Sequence, residues 1–258
     1  MAVLVGKEAP DFTEDAAVGQ STQKVSLSQY KGKQYVVLFF YPLDFTFVCP
    51  TEIHAFEAAR KEFESRNAVL LGCSVDSAHS HMAWLRTPVS DGGIQGVNYP
   101  IIADIHKRVS RAYDVLDEGA GITYRASFVI DKNGVVQAQV VHHRPIGRNV
   151  DEVLRLLDAL QYSEEHGEVC PANWKKGDKG MTASPEGVAG RSGGRLADYG
   201  GLSKTTAVRT RRAPAGCCTA RASCRDCCAA CRWRQRSSRY SSRRRVAAPP
   251  GSGARRHP

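Results

Sequence analysis

Cys49 stands three residues after Thr46 and directly before Pro50, where an uncharged run gives way to a mixed polar and apolar one. The uncharged run is residues 35–41, YVVLFFY, and Pro42 cuts it off. Beyond it Ile53, Phe56 and Phe63 recur at helical spacing, with Glu52, Glu57, Arg60 and Lys61 between them. Pro50 is well placed at the first helical position, where its missing N–H costs nothing, so Cys49 is placed at a helix start. Unpaired N–H groups and the positive end of the helix dipole favour a thiolate there. A free cysteine, with a pKa of about 8.5, is only a few per cent ionised at neutral pH, and bringing one to about 6 takes about 3.4 kcal/mol. A helix end supplies about 0.3–2 kcal/mol of that, so other groups must add to it. The Thr46 hydroxyl is one such group, able to donate to the sulfur and to accept from a substrate. The chemistry these residues point to is nucleophilic attack by sulfur.

Two more cysteines lie in the first two thirds of the chain. Cys73 falls inside the apolar run AVLLGCSV with no base or helix start beside it, and reads as core filling. Cys170 lies in EEHGEVCPANWKKG, a polar segment expected to be loosely structured; an unpaired surface thiol and a reactive one are both open. Arg125 occupies an otherwise apolar stretch, and a buried guanidinium needs an anionic partner. His142 and His143 read as exposed surface rather than catalytic groups. The glycines of SDGGIQGVNY are followed by no Gly-Lys-Ser/Thr, so the stretch reads as a plain loop.

The elements that must position these groups alternate between strand and helix. Residues 68–75 predict a second buried strand, residues 78–86 a helix ended by Thr87-Pro88, and Ile101-Ile102 a short strand. Asp104 can cap a helix running to about Tyr113. Residues 124–130 and 135–142 predict two strands joined by Asp131-Lys132-Asn133-Gly134, a hairpin signal. Asn149 or Asp151 starts a long helix with Val153, Leu156, Leu157 and Leu160 on one face. The pattern predicts an α/β protein with a mixed central sheet flanked by helices.

The run PLDFTFVCP, with Pro42, Thr46 and Cys49, resembles the active-site signature of the peroxiredoxins. VVLFFYPLDFTFVCPTEIHAF, GCSVDS, the arginine in TYRASFVID, and HGEVCPANW look like the typical two-cysteine branch, the alkyl hydroperoxide reductase/thiol-specific antioxidant type. The resemblance covers residues 1 to about 188 and implies a thioredoxin-like fold and an oxidoreductase, a thioredoxin-dependent peroxidase of hydrogen peroxide and organic hydroperoxides. It implies that Cys49 is the peroxidatic cysteine, with Pro42, Thr46 and Arg125 around it and with Glu52 and Arg148 in support. Cys170 would be the resolving cysteine, attacking the Cys49 sulfenic acid of a partner subunit, with a thioredoxin-like or flavoprotein-linked reductant recycling the disulfide. No metal or organic cofactor is expected, and a homodimer, or a decamer built from five dimers, is. His142-His143-Arg144 departs from the run usual before PIGRN. In family members sensitive to overoxidation a Gly-Gly-Leu-Gly loop and a C-terminal Tyr-Phe helix hold the resolving cysteine back; here the loop reads Gly92-Gly93-Ile94-Gln95-Gly96 and no Tyr-Phe pair follows Cys170. A thioredoxin-type oxidoreductase would need a second cysteine at position 52, which is Glu52. A holdase chaperone or a nucleic-acid-binding protein that retains the fold is the rival from another class.

Charge divides the chain. Residues 1–189 hold 19 Lys and Arg against 24 Asp and Glu, a net of −5, whereas residues 190–258 hold 17 against 2, a net of +15, so the overall +10 belongs to the tail. The organisation expected is a peroxidase domain over residues 1–162, an arm with Cys170 over 163–188, and a basic, disordered tail over 189–258. Cys217, Cys218, Cys224, Cys227, Cys228 and Cys231 crowd into the tail. Three readings of it stand: a frameshift product, a solvated basic tail that binds nucleic acid or acidic surfaces without specificity, and a zinc site. The N-terminus shows neither a signal nor a transit pattern, and no apolar run approaches the ~20 residues of a membrane span. A cytoplasmic protein with redox-active cysteines and no membrane partner is the expectation.

Overall fold

The uncharged run folds into a strand, Tyr35–Phe40, all six residues of which are buried. A strand can be buried throughout only if both faces of its sheet are covered, and its side chains alternate between two cores: Tyr35, Val37 and Phe39 enter one, Val36, Leu38 and Phe40 the other. The computed structural model describes residues 2–192. In chain order the elements are β1 (Thr13–Val18), β2 (Ser21–Ser26), β3 (Tyr35–Phe40), α1 (Cys49–Ala58), α2 (Arg60–Ser65), β4 (Ala68–Ser74), α3 (Ala78–Arg86), β5 (Ile101–Ala103), α4 (Arg108–Ala112), β6 (Leu116–Asp117), β7 (Ile122–Thr123), β8 (Arg125–Ile130), β9 (Val136–His142), α5 (Val150–His166) and α6 (Pro185–Ser192). Seven strands form one sheet in the order β2-β1-β5-β4-β3-β8-β9. β3, β4 and β5 pair in parallel, while β8, β9, β1 and β2 join antiparallel, so the sheet is mixed as expected.

One core holds Ile53 and Phe56 of α1, Phe63 of α2, Trp84 of α3, and Val153 and Leu157 of α5; the other holds Val109 of α4 with Phe12, Leu27 and Tyr113. Cys73 lies in this second core, fully buried, and burial pushes its thiol well up, with Asp104 and Glu14 adding to the shift. That agrees with an inert, core-filling cysteine.

Several local expectations are revised. The helix that opens at Cys49 breaks at Ala59 into α1 and α2, yet Phe63 still packs on Phe56 with ring centroids 6.2 Å apart. The helix expected from Asp104 shortens to α4, because Lys107 turns left-handed at φ 58° and residues 104–107 form a separate turn. Asp104 still caps it, accepting from the Val109 and Ser110 N–H groups at 3.1 and 2.7 Å. The β1–β2 hairpin has no counterpart in the sequence reading, since STQKVS is polar and carries one buried residue. The hairpin between β8 and β9 forms as expected, with Gly134 at φ 83° and Asp131 Oδ1 accepting from the Asn133 and Val135 N–H groups. Asn149 caps α5 by accepting from the Asp151 N–H at 2.9 Å. α6 continues to Ser192, past the boundary expected at 189. The six clustered cysteines and the readings attached to them lie outside the described residues.

Candidate active site

β3 ends at Phe40, and the chain turns through buried Pro42 and a short loop before α1 begins at Cys49. The helix opens one residue earlier than expected, with Cys49 itself as its first residue, so Pro50 occupies the second helical position, and Glu52 lies in the first turn. The loop folds back so that Thr46 Oγ1 lies 2.9 Å from Cys49 Sγ and 2.9 Å from the Leu43 carbonyl. The sulfur is fully buried at the head of the helix.

Arg125 begins β8, antiparallel to β3, which carries it to the same end of the sheet as the loop. Its Nη1 lies 3.3 Å from Cys49 Sγ and donates to Glu52 Oε2 at 2.6 Å, and its Nε donates to the Arg144 carbonyl at 2.6 Å. Arg148 completes the group: its backbone N–H and Nε donate to Glu52 Oε1 at 2.9 and 3.0 Å, and Nη2 donates to Oε2 at 2.8 Å. Its Nη1 donates to the carbonyls of Phe40 and Ala126 at 2.8 and 2.9 Å, tying β3 to β8. The guanidinium also stacks over Phe39 and Phe56. Arg125 and Glu52 are each 4% exposed. Two guanidinium groups against one carboxylate leave a net positive charge around the sulfur, in surroundings that screen little. A hydroxyl, a guanidinium and a helix N-terminus thus converge on one atom that can carry negative charge.

Cys49, Thr46, Arg125, Glu52 and Arg148 are brought together, and Pro42 opens the loop. Cys170 is held elsewhere, against α5 and β9, where its thiol donates to the Ala159 carbonyl at 3.5 Å. It borders a groove of about 320 Å³ lined by Val129, Ala138, Leu156 and Leu160. Burial pushes the Cys170 thiol up, against the pull of Arg155 and with Glu168 adding. The arm around it is more ordered than its polarity suggests: Val169 bridges Met181, and Trp174 is 1% exposed with its ring 5.0 Å from Tyr162.

Sequence reasoning missed two features. Of the two histidines expected on the surface, His143 is exposed and His142 only half-exposed; Arg144, also half-exposed, donates to Asp117 Oδ2 at 2.9 Å while its carbonyl orients Arg125. Asp44, two residues before Thr46, is buried on His81, a pairing across 37 residues that no local pattern announces.

Comparison with known proteins gives the same picture. Residues 5–139 match the AhpC/TSA family and residues 159–193 the C-terminal domain of 1-Cys peroxiredoxin. The chain is 52% identical over 183 residues to the chloroplastic 2-Cys peroxiredoxin BAS1 of Spinacia oleracea, covering 71% of this chain and 69% of that one. It is 52% identical over 179 residues to the thioredoxin peroxidase of Echinococcus granulosus, covering 69% of this chain and 92% of that one. Among solved structures, the reduced 2-Cys peroxiredoxin of Plasmodium vivax superposes with a TM-score of 0.73 at 49% identity, over 75% of this chain and all of that one. The shared architecture is thioredoxin-like. With its cysteine at the head of a helix, its sheet and its relatives in agreement, the chain belongs to the AhpC/TSA family as a two-cysteine peroxiredoxin, a thiol peroxidase.

Proposed function

We propose that Cys49 reduces hydrogen peroxide and small organic hydroperoxides and that Cys170 of a second subunit resolves the product. The observation that carries this reading is the pairing of Thr46 Oγ1 and Arg125 Nη1 on one sulfur. The thiolate attacks the terminal peroxide oxygen; the S–O bond forms as the O–O bond breaks, and the electron pair leaves on the second oxygen. Arg125 stabilises that charge, and a proton from solvent completes water or an alcohol. The Thr46 hydroxyl has one proton and faces two acceptors, so its lone pairs remain to receive the peroxide O–H.

Cys49 is left as a sulfenic acid. A Cys170 thiolate displaces its hydroxyl, which takes a proton from solvent and leaves as water, and the disulfide formed is reduced by a dithiol of the thioredoxin type, or a flavoprotein-linked one. The names of the relatives support both reductant and substrate classes: one is a thioredoxin peroxidase, another, from Helicobacter pylori, an alkyl hydroperoxide reductase C. We place the reaction in the cytoplasm, where such dithiols are kept reduced, and in a homodimer or a ring of five dimers.

The test is stoichiometric peroxide consumption. Wild type is expected to lose one thiol rapidly and to run as a covalent dimer without reductant; Cys49→Ser is expected to be inert. Cys170→Ser should consume one equivalent and stay monomeric. A covalent dimer persisting in Cys170→Ser would overturn the assignment of the resolving cysteine.

A further inference from the structure

Phe45, between Asp44 and Thr46, has φ 53°. That left-handed conformation is unfavourable for a side chain with a Cβ and persists only where its surroundings hold it. What holds it is visible on both sides. The Phe45 ring is 54% exposed but packs on Trp84 of α3, with centroids 5.7 Å apart. Asp44 is tied to four other residues: its N–H donates to Asp76 Oδ2 at 2.9 Å, its Oδ1 accepts from Tyr41 Oη at 2.8 Å, and its Oδ2 accepts from Ser80 Oγ at 2.7 Å and from His81 Nδ1 at 2.8 Å. His81, fully buried on α3, reaches the Ile102 carbonyl of β5 with its other nitrogen at 3.2 Å. Asp76 is itself fixed by Ser74 Oγ at 2.7 Å. Asp44 therefore fastens the loop to the ends of β3 and β4 and to α3.

We propose that Asp44 is a positioning residue for Thr46: it holds the loop so that Phe45 stays left-handed and the Thr46 hydroxyl stays against Cys49 Sγ. The inference rests on the peroxidase reading and adds a residue to it. Asp44 does not touch the sulfur, so its effect runs through Thr46. Attack on peroxide needs the Thr46 hydroxyl in place to receive the peroxide O–H, whereas alkylation by iodoacetamide, measured at a pH where Cys49 is ionised with or without that hydroxyl, needs only the thiolate.

The experiment measures both reactions on the full chain. Asp44→Asn keeps the shape and loses the charge and one acceptor; it is expected to slow peroxide attack on Cys49 by roughly 10- to 100-fold and alkylation by less than about 3-fold. Combined with Thr46→Val, it should add less than about 3-fold to the loss that Thr46→Val causes alone, because residues acting through one another are not additive. Ser80→Ala, which removes one donor from the same carboxylate, should show a smaller loss of the same selectivity and provides the readout should Asp44→Asn not fold. Equal losses in both reactions, full additivity with Thr46→Val, or wild-type peroxide rates in a folded Asp44→Asn would each overturn the inference. A wild type that consumes no peroxide would overturn the peroxidase reading instead.

Discussion

Two cysteines that read alike as letters are set apart by what faces them. Cys49 is wholly buried, yet a hydroxyl and a guanidinium are aimed at its sulfur. Cys170 is half-buried against a backbone carbonyl, and burial dominates its electrostatics, raising its pKa above that of a free thiol. The sign of the consequence follows: a thiol whose pKa is raised is protonated at neutral pH, and its reactive fraction grows about tenfold per pH unit until the pKa is reached. In Cys49→Ser, the rate of iodoacetamide labelling of the Cys170 peptide, followed by mass spectrometry, is expected to climb through pH 7 and 8 and to level off only above the free-thiol pKa of about 8.5. A plateau near pH 7.5 would show a group on Cys170 that stabilises its thiolate. The same reasoning makes the docked arm a poor attacker and the detached arm a better one, since leaving the groove removes the burial that raises the pKa.

The elements carry the site through one carboxylate. Glu52 sits in the first turn of α1, Arg125 begins β8, and Arg148 lies between β9 and α5; each would be an isolated buried charge without the others. Removing one member of such a buried cluster costs about 3–5 kcal/mol, because the partners lose their counter-ion without regaining water. Glu52→Gln is therefore expected to lower the thermal midpoint by about 6–20 °C as well as the peroxide rate. Lys24→Ala, which breaks the exposed Lys24–Asp15 pair, should shift the midpoint by no more than about 4 °C. Comparable shifts in the two variants would mean that the cluster is solvated. The elements also show where a sequence speaks. β3, β4 and α5 are legible because an uninterrupted apolar run and a 3.6-residue period have few other readings, and Cys49 is legible because it marks the switch between them. β1 and β2 are not, since an edge hairpin of polar residues owes its place to strands it meets later in the chain. The Arg125–Glu52 contact spans 73 residues and came into view only through family resemblance, while Asp44–His81 was seen by neither route. Long-range polar pairs leave no periodicity to read.

Across the whole molecule, the balance between resolution and further oxidation depends on how firmly the Cys170 arm is held relative to the Cys49 centre. The centre is deeply fastened: the Gly92–Gly96 loop leans on it through His54, whose Nε2 donates to the Gly93 carbonyl at 3.1 Å, and Ile94 is buried in the same core as Ile53 and Phe56. The arm is not. Between residues 163 and 190 Trp174 alone is buried, and the pairing is a single bridge, Val169 with Met181. Few buried contacts mean a low free energy of local opening. α6, which ends the arm, reads PEGVAGRS and has no large aromatic residue to pin it. Release of Cys170 should accordingly outrun attack of a second peroxide on the sulfenic acid, so that turnover in millimolar peroxide leaves Cys49 recoverable by dithiothreitol rather than as sulfinic acid. Trp174→Ala removes the arm's one buried anchor and should reduce the sulfinic fraction further, whereas Cys170→Ser, with no resolving thiol, should raise it toward completion. Mass spectrometry of the Cys49 peptide decides between the outcomes. A dominant sulfinic form in wild type, diminished only in Trp174→Ala, would show that this single tryptophan holds the arm long enough for the second oxidation, and that the arm is better anchored than its one buried residue implies.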